Sequence, residues 1–152
     1  MAELRPGVRL GLDWGKARIG VAACDREGLL AYPVETVPAV DAARRLPQLV
    51  AEYEPVEIVL GLPVDLKGRR GIAAEYVLAE ARRVAPLLGV PIRLSDERLS
   101  TASASRRLGQ AGKNSRAQRQ LIDQAAAVEI LNGALEAERR GQLGELLIRE
   151  GS

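Results

Sequence analysis

The order of apolar segments along the chain constrains the fold more than any other feature. Three short segments that favour strands come first, and a turn of only a few residues separates each from the next. From residue 41 onward, helical periodicity alternates with short strand-like runs. Short turns predict an antiparallel meander, whereas strands that alternate with helices predict parallel pairing. The chain is therefore expected to form one mixed α/β sheet.

Turn residues and prolines give approximate bounds to these elements. The meander is expected to comprise strands at 8–13, 19–24 and 29–37, where Pro33 favours an edge strand or a bulge. Asp41 is a candidate cap for a helix that runs to Tyr53, and Pro86 should end or kink a helix at 74–85. The other predicted elements are a strand at 56–60 that ends at 61–63, a strand at 91–94, helices at 101–108 and 117–139, and a polar loop at 109–116.

This order of elements fits the RNase H-like fold, in which helices cover both faces of a mixed five-stranded sheet, although other α/β folds share the pattern. A chain of 152 residues suits one domain with one core. We expect that domain at residues 1–139, followed by a loosely ordered C-terminal tail at 140–152 that has no clear partner.

The absence of histidine and the single cysteine, Cys24, exclude several kinds of chemistry. Without histidine, Ser-His-Asp catalysis, His-based zinc sites and a histidine general base are impossible. One cysteine can form neither an internal disulfide nor a CxxC metal site. Any catalysis must therefore depend on carboxylates, Lys, Arg, Ser, Thr or Tyr, and hard carboxylate ligands favour Mg²⁺ or Mn²⁺ over zinc.

Four acidic residues lie where strands or helices would present them to a shared site. Asp13 ends the first predicted strand, and Asp96 and Glu97 directly follow the last one. Turn formation and helix capping are the structural alternatives for these three. Asp123 belongs to an apolar helix face that includes Ala127, so its carboxylate should be partly buried. A buried carboxylate needs either an arginine partner or a metal ion.

These acidic residues come from distant parts of the chain, yet the predicted topology would gather them. Adjacent parallel strands would bring the ends that carry Asp13 and Glu97 to one edge of the sheet, and a helix packed there would add Asp123. Such an oxygen cluster is what two divalent ions about 4 Å apart require to activate water and stabilise the leaving oxygen of a phosphodiester. The sequence therefore predicts a metal-dependent phosphodiesterase site.

Basic residues are dense around the same positions, and they predict a surface that contacts phosphates. The net charge of the whole chain is only +2, so a solvated helix face is the alternative explanation. The candidate nucleic-acid contacts are Lys16, Arg18, Arg98, Arg107, Lys113 and Arg116. Four aromatic residues are too few for base stacking to dominate binding, which favours recognition of backbone or shape.

No apolar run has the length of a membrane span, and the N-terminal residues lack the apolar core of a signal peptide. We therefore expect a cytoplasmic protein that does not bind membranes.

Four motifs, taken together in this order, resemble the YqgF/RuvX family of pre-16S rRNA nucleases, also called Holliday junction resolvase-like proteins. They are LGLDWGKARIGVA at 10–22, IVLGLPVDLKG at 58–68, DERLST at 96–101 and LIDQAAA at 121–127. Each motif alone is weak, whereas the ordered set covers about residues 8–138 and is specific.

The resemblance implies a cytoplasmic, RNase H-like, metal-dependent nuclease that matures the 5′ end of the small-subunit rRNA precursor. It assigns the catalytic and metal-ligating positions to Asp13, Glu97 and Asp123, with Asp96 as the second choice for the middle ligand. The expected substrate is structured RNA or branched DNA, and the protein would act as a monomer or homodimer. The alternatives are a Holliday junction resolvase, which needs a dimer, a non-catalytic rRNA-binding assembly factor, and, ranked last, a nucleotide-binding protein related to actin-like ATPases.

Overall fold

Five strands form one mixed sheet in the computed structural model, which describes residues 4–98 and 115–147. The first three strands make the expected antiparallel meander, and the last two run parallel to the first. Across the sheet the order is β3-β2-β1-β4-β5, which confirms the mixed five-stranded sheet. The strands are β1 (Arg9–Trp14), β2 (Arg18–Cys24), β3 (Ala31–Pro38), β4 (Glu57–Val64) and β5 (Ile92–Arg98).

Helices cover both faces of the sheet, as expected for the RNase H-like fold. They are α1 (Ala42–Tyr53), α2 (Ile72–Val84) and α3 (Arg116–Arg139). Successive side chains of a strand point to opposite faces. In β4, Ile58 and Leu60 accordingly pack in the core shared with α1 and α2, whereas Val59 packs against α3.

Two strands are longer than the sequence predicts. The prediction that β4 ends at 61–63 is wrong, because parallel pairing with β5 continues to Val64 and keeps Leu62 and Val64 buried despite Pro63. The acidic residues Asp96 and Glu97 were expected to follow the last strand, but they belong to β5. Backbone pairing therefore continues beyond the apolar run, and neither residue caps a helix.

Prolines and caps define the element ends only partly as predicted. β3 is an edge strand whose register shifts next to Pro33, and α2 gives way at Pro86 to a 3-10 turn, so both proline predictions are confirmed. The prediction that Asp41 caps α1 is wrong, because Asp41 lies in a preceding 3-10 turn and its side chain makes no capping hydrogen bond. Instead it pairs with Arg44 at 3.5 Å. The last helix begins at Arg116, and a capping box between Ser115 and Gln118 fixes its start.

The segment after α3 pairs with β5, although the sequence predicts no partner for it. The backbone N–H of Leu94 donates to the carbonyl of Glu145, and that of Leu147 donates to Ile92, both at 2.8 Å. Leu147 is also buried. The predicted helix at 101–108 and the loop residues 109–114 lie outside the described residues.

A buried ion cluster holds the C-terminal end of α3 on the sheet. The Glu138 carboxylate accepts hydrogen bonds from Arg5 and from the buried Arg9, while Glu57 accepts them from Arg5 and Arg93. Burial raises the pKa of Glu138, but the hydrogen bonds from Arg5 and the charge of Arg9 outweigh this and lower it overall. Glu138 therefore stays ionised and balances the buried charge of Arg9.

Glycines let the remainder of α3 approach the sheet closely. A Cβ at Gly20 would lie 2.0 Å from the carbonyl oxygen of Asp123, and one at Gly61 would lie 2.3 Å from Cδ1 of Ile130. The Asp123 oxygen belongs to the backbone and cannot move aside, whereas the end of the Ile130 side chain would have to shift. β2 therefore accepts the helix at this distance because position 20 is glycine.

Gly20→Ala should push α3 away from β2 and lower the free energy of unfolding by about 1–3 kcal/mol, as overpacking does. Gly133→Ala is the matched control on the same helix, since a Cβ there meets open space. It should be neutral or stabilise by up to about 1 kcal/mol, because alanine favours helix. Urea unfolding of both variants measures the difference, and equal stability would contradict the close contact at Gly20.

Candidate active site

A cleft of about 310 Å³ lies where the carboxyl ends of β1, β4 and β5 meet the first half of α3. Asp13 near the end of β1, Glu97 near the end of β5 and Asp123 on α3 all line it. Parallel pairing of β1 with β4, and of β4 with β5, explains why the two strand ends reach the same edge. The structure thus places the three sequence-predicted carboxylates in one cleft.

The two adjacent acidic residues of β5 occupy different surroundings. Glu97 lies opposite Pro63 in the strand register and lines the cleft with Asp13. Asp96 lines a separate depression that also includes Arg70 and Glu145. Strand alternation accounts for this separation. The position of Glu97 favours it over Asp96 as a partner of Asp13.

An ion pair engages the third carboxylate. Nε of Arg18, at the start of β2, donates to Oδ2 of Asp123 at 2.6 Å. The Asp123 side chain is 19% exposed and that of Arg18 is 38% exposed, so water reaches both groups. The arginine partner considered for Asp123 from sequence is therefore present, and it is one of the predicted nucleic-acid contacts.

The carboxylates of the cleft are of the right chemical type for a hard divalent cation, but their spacing is not that of a formed metal site. Three carboxylates are the ligands that Mg²⁺ and Mn²⁺ prefer. Within residues 4–98 and 115–147, however, no three acidic, histidine or cysteine side chains lie close enough together to hold a metal ion. An ion bound here would compete with Arg18 for Asp123, whose Oδ2 accepts the hydrogen bond from the guanidinium.

The predicted basic residues are only partly described. Lys16 is exposed and lines the cleft, with Nζ 5.9 Å from the centroid of the Tyr76 ring. Arg116 is exposed at the first residue of α3. The Arg98 side chain, Arg107 and Lys113 lie outside the described residues.

Three residues that line the cleft were not predicted from the sequence. Gly61, Pro63 and Ala73 line it, but the first two were assigned to the end of a strand and Ala73 to no element. A glycine inside an apolar strand often marks the close approach of another backbone. That signal was available at Gly20, whose contact positions the Asp123 backbone. No local pattern could reveal that Arg18 pairs with a residue 105 positions away.

Comparison with solved structures shows the fold. RuvC from Thermus thermophilus, solved alone and in complex with a Holliday junction substrate, superposes with a TM-score of 0.57 in both cases. The match covers 90% of this chain and 98% of RuvC at 15–16% sequence identity. The similarity confirms the RNase H-like fold that the sequence predicts.

Curated relatives are similar over nearly the whole chain. A protein of Cutibacterium acnes is 54% identical over 138 residues, covering 90% of this chain and 86% of the relative. One of Streptomyces avermitilis is 56% identical over 140 residues, with 90% of each chain covered. Both are named "Putative pre-16S rRNA nuclease".

The model of the RuvX family, described as Holliday junction resolvase, matches residues 7–137. This match includes β1 to β5 and almost all of α3, and therefore every described residue that lines the cleft. Together with relatives that are more than half identical, it confirms the resemblance drawn from the four motifs. The chain belongs to the RuvX family.

Proposed function

We propose that this protein is a divalent-metal-dependent nuclease that processes the 5′ end of the small-subunit rRNA precursor in the cytoplasm. The observation that carries the proposal is the convergence of Asp13, Glu97 and Asp123 in one cleft. The family description supports cleavage of phosphodiester bonds, and the names of the relatives support an rRNA precursor as the substrate. No helix among the described residues is long and apolar enough to cross a membrane.

Asp13, Glu97 and Asp123 would hold Mg²⁺ or Mn²⁺. When bound, such an ion activates water and stabilises negative charge on the phosphodiester and its leaving oxygen. The protein positions the carboxylates through the ends of two parallel strands and the close contact of α3 with β2. Placing acidic ligands on strands and a helix, and not on loops, fixes their relative positions more tightly.

The cations of the cleft would bind and orient the phosphate. Lys16 lies at the exposed side of the cleft, where an ammonium contacts phosphate oxygens as a point charge. Arg18 pairs with Asp123 in this structure, and a metal ion on Asp123 would release its guanidinium for the scissile phosphate. Arg116 and the predicted contacts Arg98, Arg107 and Lys113 would bind phosphates further along the strand.

Cleavage of Holliday junctions is the second candidate function. The family description and the fold shared with RuvC favour it. Symmetric cutting of a junction requires two active sites, so this candidate predicts a dimer. A non-catalytic rRNA-binding factor is the third candidate, and the Arg18–Asp123 pair is the observation that agrees with it.

Asp13→Asn should lower Mn²⁺-dependent cleavage of a precursor small-subunit rRNA fragment roughly 100-fold or more, because it removes a charged ligand but little volume. Asp96→Asn is the matched control, since it makes the same change outside the cleft. It should leave cleavage within about twofold of wild type. Circular dichroism verifies that both variants are folded.

Equal cleavage by the wild type and Asp13→Asn would show that the activity is a contaminant. Loss of cleavage in Asp96→Asn would show that Asp96, and not Glu97, is the middle ligand. Cutting of a four-way DNA junction, with the rRNA precursor left intact, would establish the second candidate function.

Arg18→Met should tighten Mn²⁺ binding, measured by calorimetry, because the ion no longer displaces a guanidinium from Asp123. A partly exposed ion pair contributes at most about 1 kcal/mol, so the expected gain is up to about fivefold. Arg45→Met is the control, since Arg45 pairs with Glu35 at 2.6 Å with comparable exposure and does not line the cleft. Weaker Mn²⁺ binding in Arg18→Met, with Arg45→Met unchanged, would contradict competition between Arg18 and the ion for Asp123.

A further inference from the structure

The loop between β4 and α2 adjoins the cleft and has no role in the proposed mechanism. A groove of about 810 Å³ runs along this loop and is lined by residues 63–67 and 69–73. Pro63 and Ala73 line both this groove and the cleft. The two depressions are therefore neighbours, and a strand that leaves the cleft on this side would pass over the groove.

Asp65 gives the loop a defined conformation. Its Oδ1 accepts hydrogen bonds from the backbone N–H groups of Lys67 at 2.9 Å and Arg69 at 2.8 Å. Its own N–H donates to the carbonyl of Arg69, and Gly68 supplies the left-handed conformation that the turn requires. The hydrogen bond from the Arg69 backbone lowers the pKa of Asp65, so the carboxylate that organises the loop stays ionised.

The ordered loop presents more positive than negative charge. Lys67 is exposed and makes no ion pair with any described residue. The Arg69 side chain, 70% exposed, pairs with Asp65, and Arg70 pairs with the exposed Glu145. Exposed pairs of this kind contribute at most about 1 kcal/mol, so phosphate oxygens can compete for both guanidinium groups.

Two apolar side chains lie beside these cations. Leu66 is 62% exposed and Ile72 is 91% exposed, and both line the groove. Apolar side chains flanked by cations suit a nucleic-acid strand, whose phosphates bind the cations while sugars and bases contact the apolar groups. The excess of positive charge favours this polyanion over a protein partner.

We infer that the β4–α2 loop binds the substrate strand beside the cleavage site, with Lys67, Arg69 and Arg70 contacting phosphates and Leu66 and Ile72 contacting sugars and bases. The inference rests on the proposed function, since it assigns a substrate-binding surface to the same nuclease. Phosphate contacts do not depend on base identity, so the loop strengthens binding without selecting a sequence.

Fluorescence anisotropy with Ca²⁺ in place of Mg²⁺ measures binding separately from cleavage. The probes are a labelled precursor small-subunit rRNA fragment and a labelled four-way DNA junction. Lys67→Glu should weaken binding to any probe that the wild type binds by about tenfold, and should reduce the slope of log affinity against log salt by about one. Arg69→Gln, which keeps hydrogen-bond donors but removes the charge, should have a smaller effect in the same direction.

Arg82→Glu is the matched control, because Arg82 is exposed near the far end of α2 and does not line the groove. It makes the same charge change as Lys67→Glu and should alter affinity by less than about twofold. The inference would be overturned if Lys67→Glu and Arg69→Gln had the same affinity and salt dependence as Arg82→Glu. The groove would then be assigned to a protein partner. Failure of the wild type to bind either probe would overturn the proposed function itself.

Discussion

Close packing of α3 against the sheet determines where the third carboxylate of the cleft lies. The helix can approach because Gly20 carries no Cβ, which places the Asp123 backbone directly over β2. Side-chain hydrogen bonds extend this contact, since Thr36 of β3 donates to the carbonyl of Gln120 and accepts from Gln124. The position of Asp123 relative to Asp13 and Glu97 therefore follows from backbone contacts and not from the carboxylates, which repel one another.

Two ion pairs of α3 differ in burial, and therefore in what their loss would cost. Arg9 and Glu138 are almost fully buried, so removal of Glu138 would leave the buried charge of Arg9 uncompensated, at a cost of about 3–5 kcal/mol. Arg18 and Asp123 are reached by water, and such a pair contributes at most about 1 kcal/mol. A divalent cation proposed at Asp123 would therefore compete with Arg18 at low cost, while the other end of the helix stays anchored.

Sequence periodicity was sufficient to predict the mixed sheet and its described helices, because alternation and helical spacing are local signals. The family followed from the resemblance of four ordered motifs. The shared location of Asp13 and Glu97 could be predicted because strand ends of a parallel sheet meet at one edge. Their surroundings could not be predicted. Backbone pairing extends β5 through Asp96 and Glu97 although the apolar run ends at Leu94, and strand alternation then separates the two.

Long-range contacts account for the remaining differences. The Arg18–Asp123 pair joins residues 105 positions apart, and the pairing of Leu147 with Ile92 gives a partner to a segment whose own sequence indicates none. Both depend on the assembled sheet. The groove beside the β4–α2 loop likewise arises only when the end of β4 and the start of α2 come together.

We propose that the cleft becomes a metal centre in which a divalent ion competes with Arg18 for Asp123. A crystal structure of the protein soaked with Mn²⁺ and measured at a wavelength where manganese scatters anomalously tests it most directly. We predict an anomalous peak within about 2.5 Å of carboxylate oxygens of Asp13 and Asp123, with the Arg18 guanidinium displaced from Asp123. An intact Arg18–Asp123 pair, together with no anomalous peak in the cleft at saturating Mn²⁺, would contradict the account.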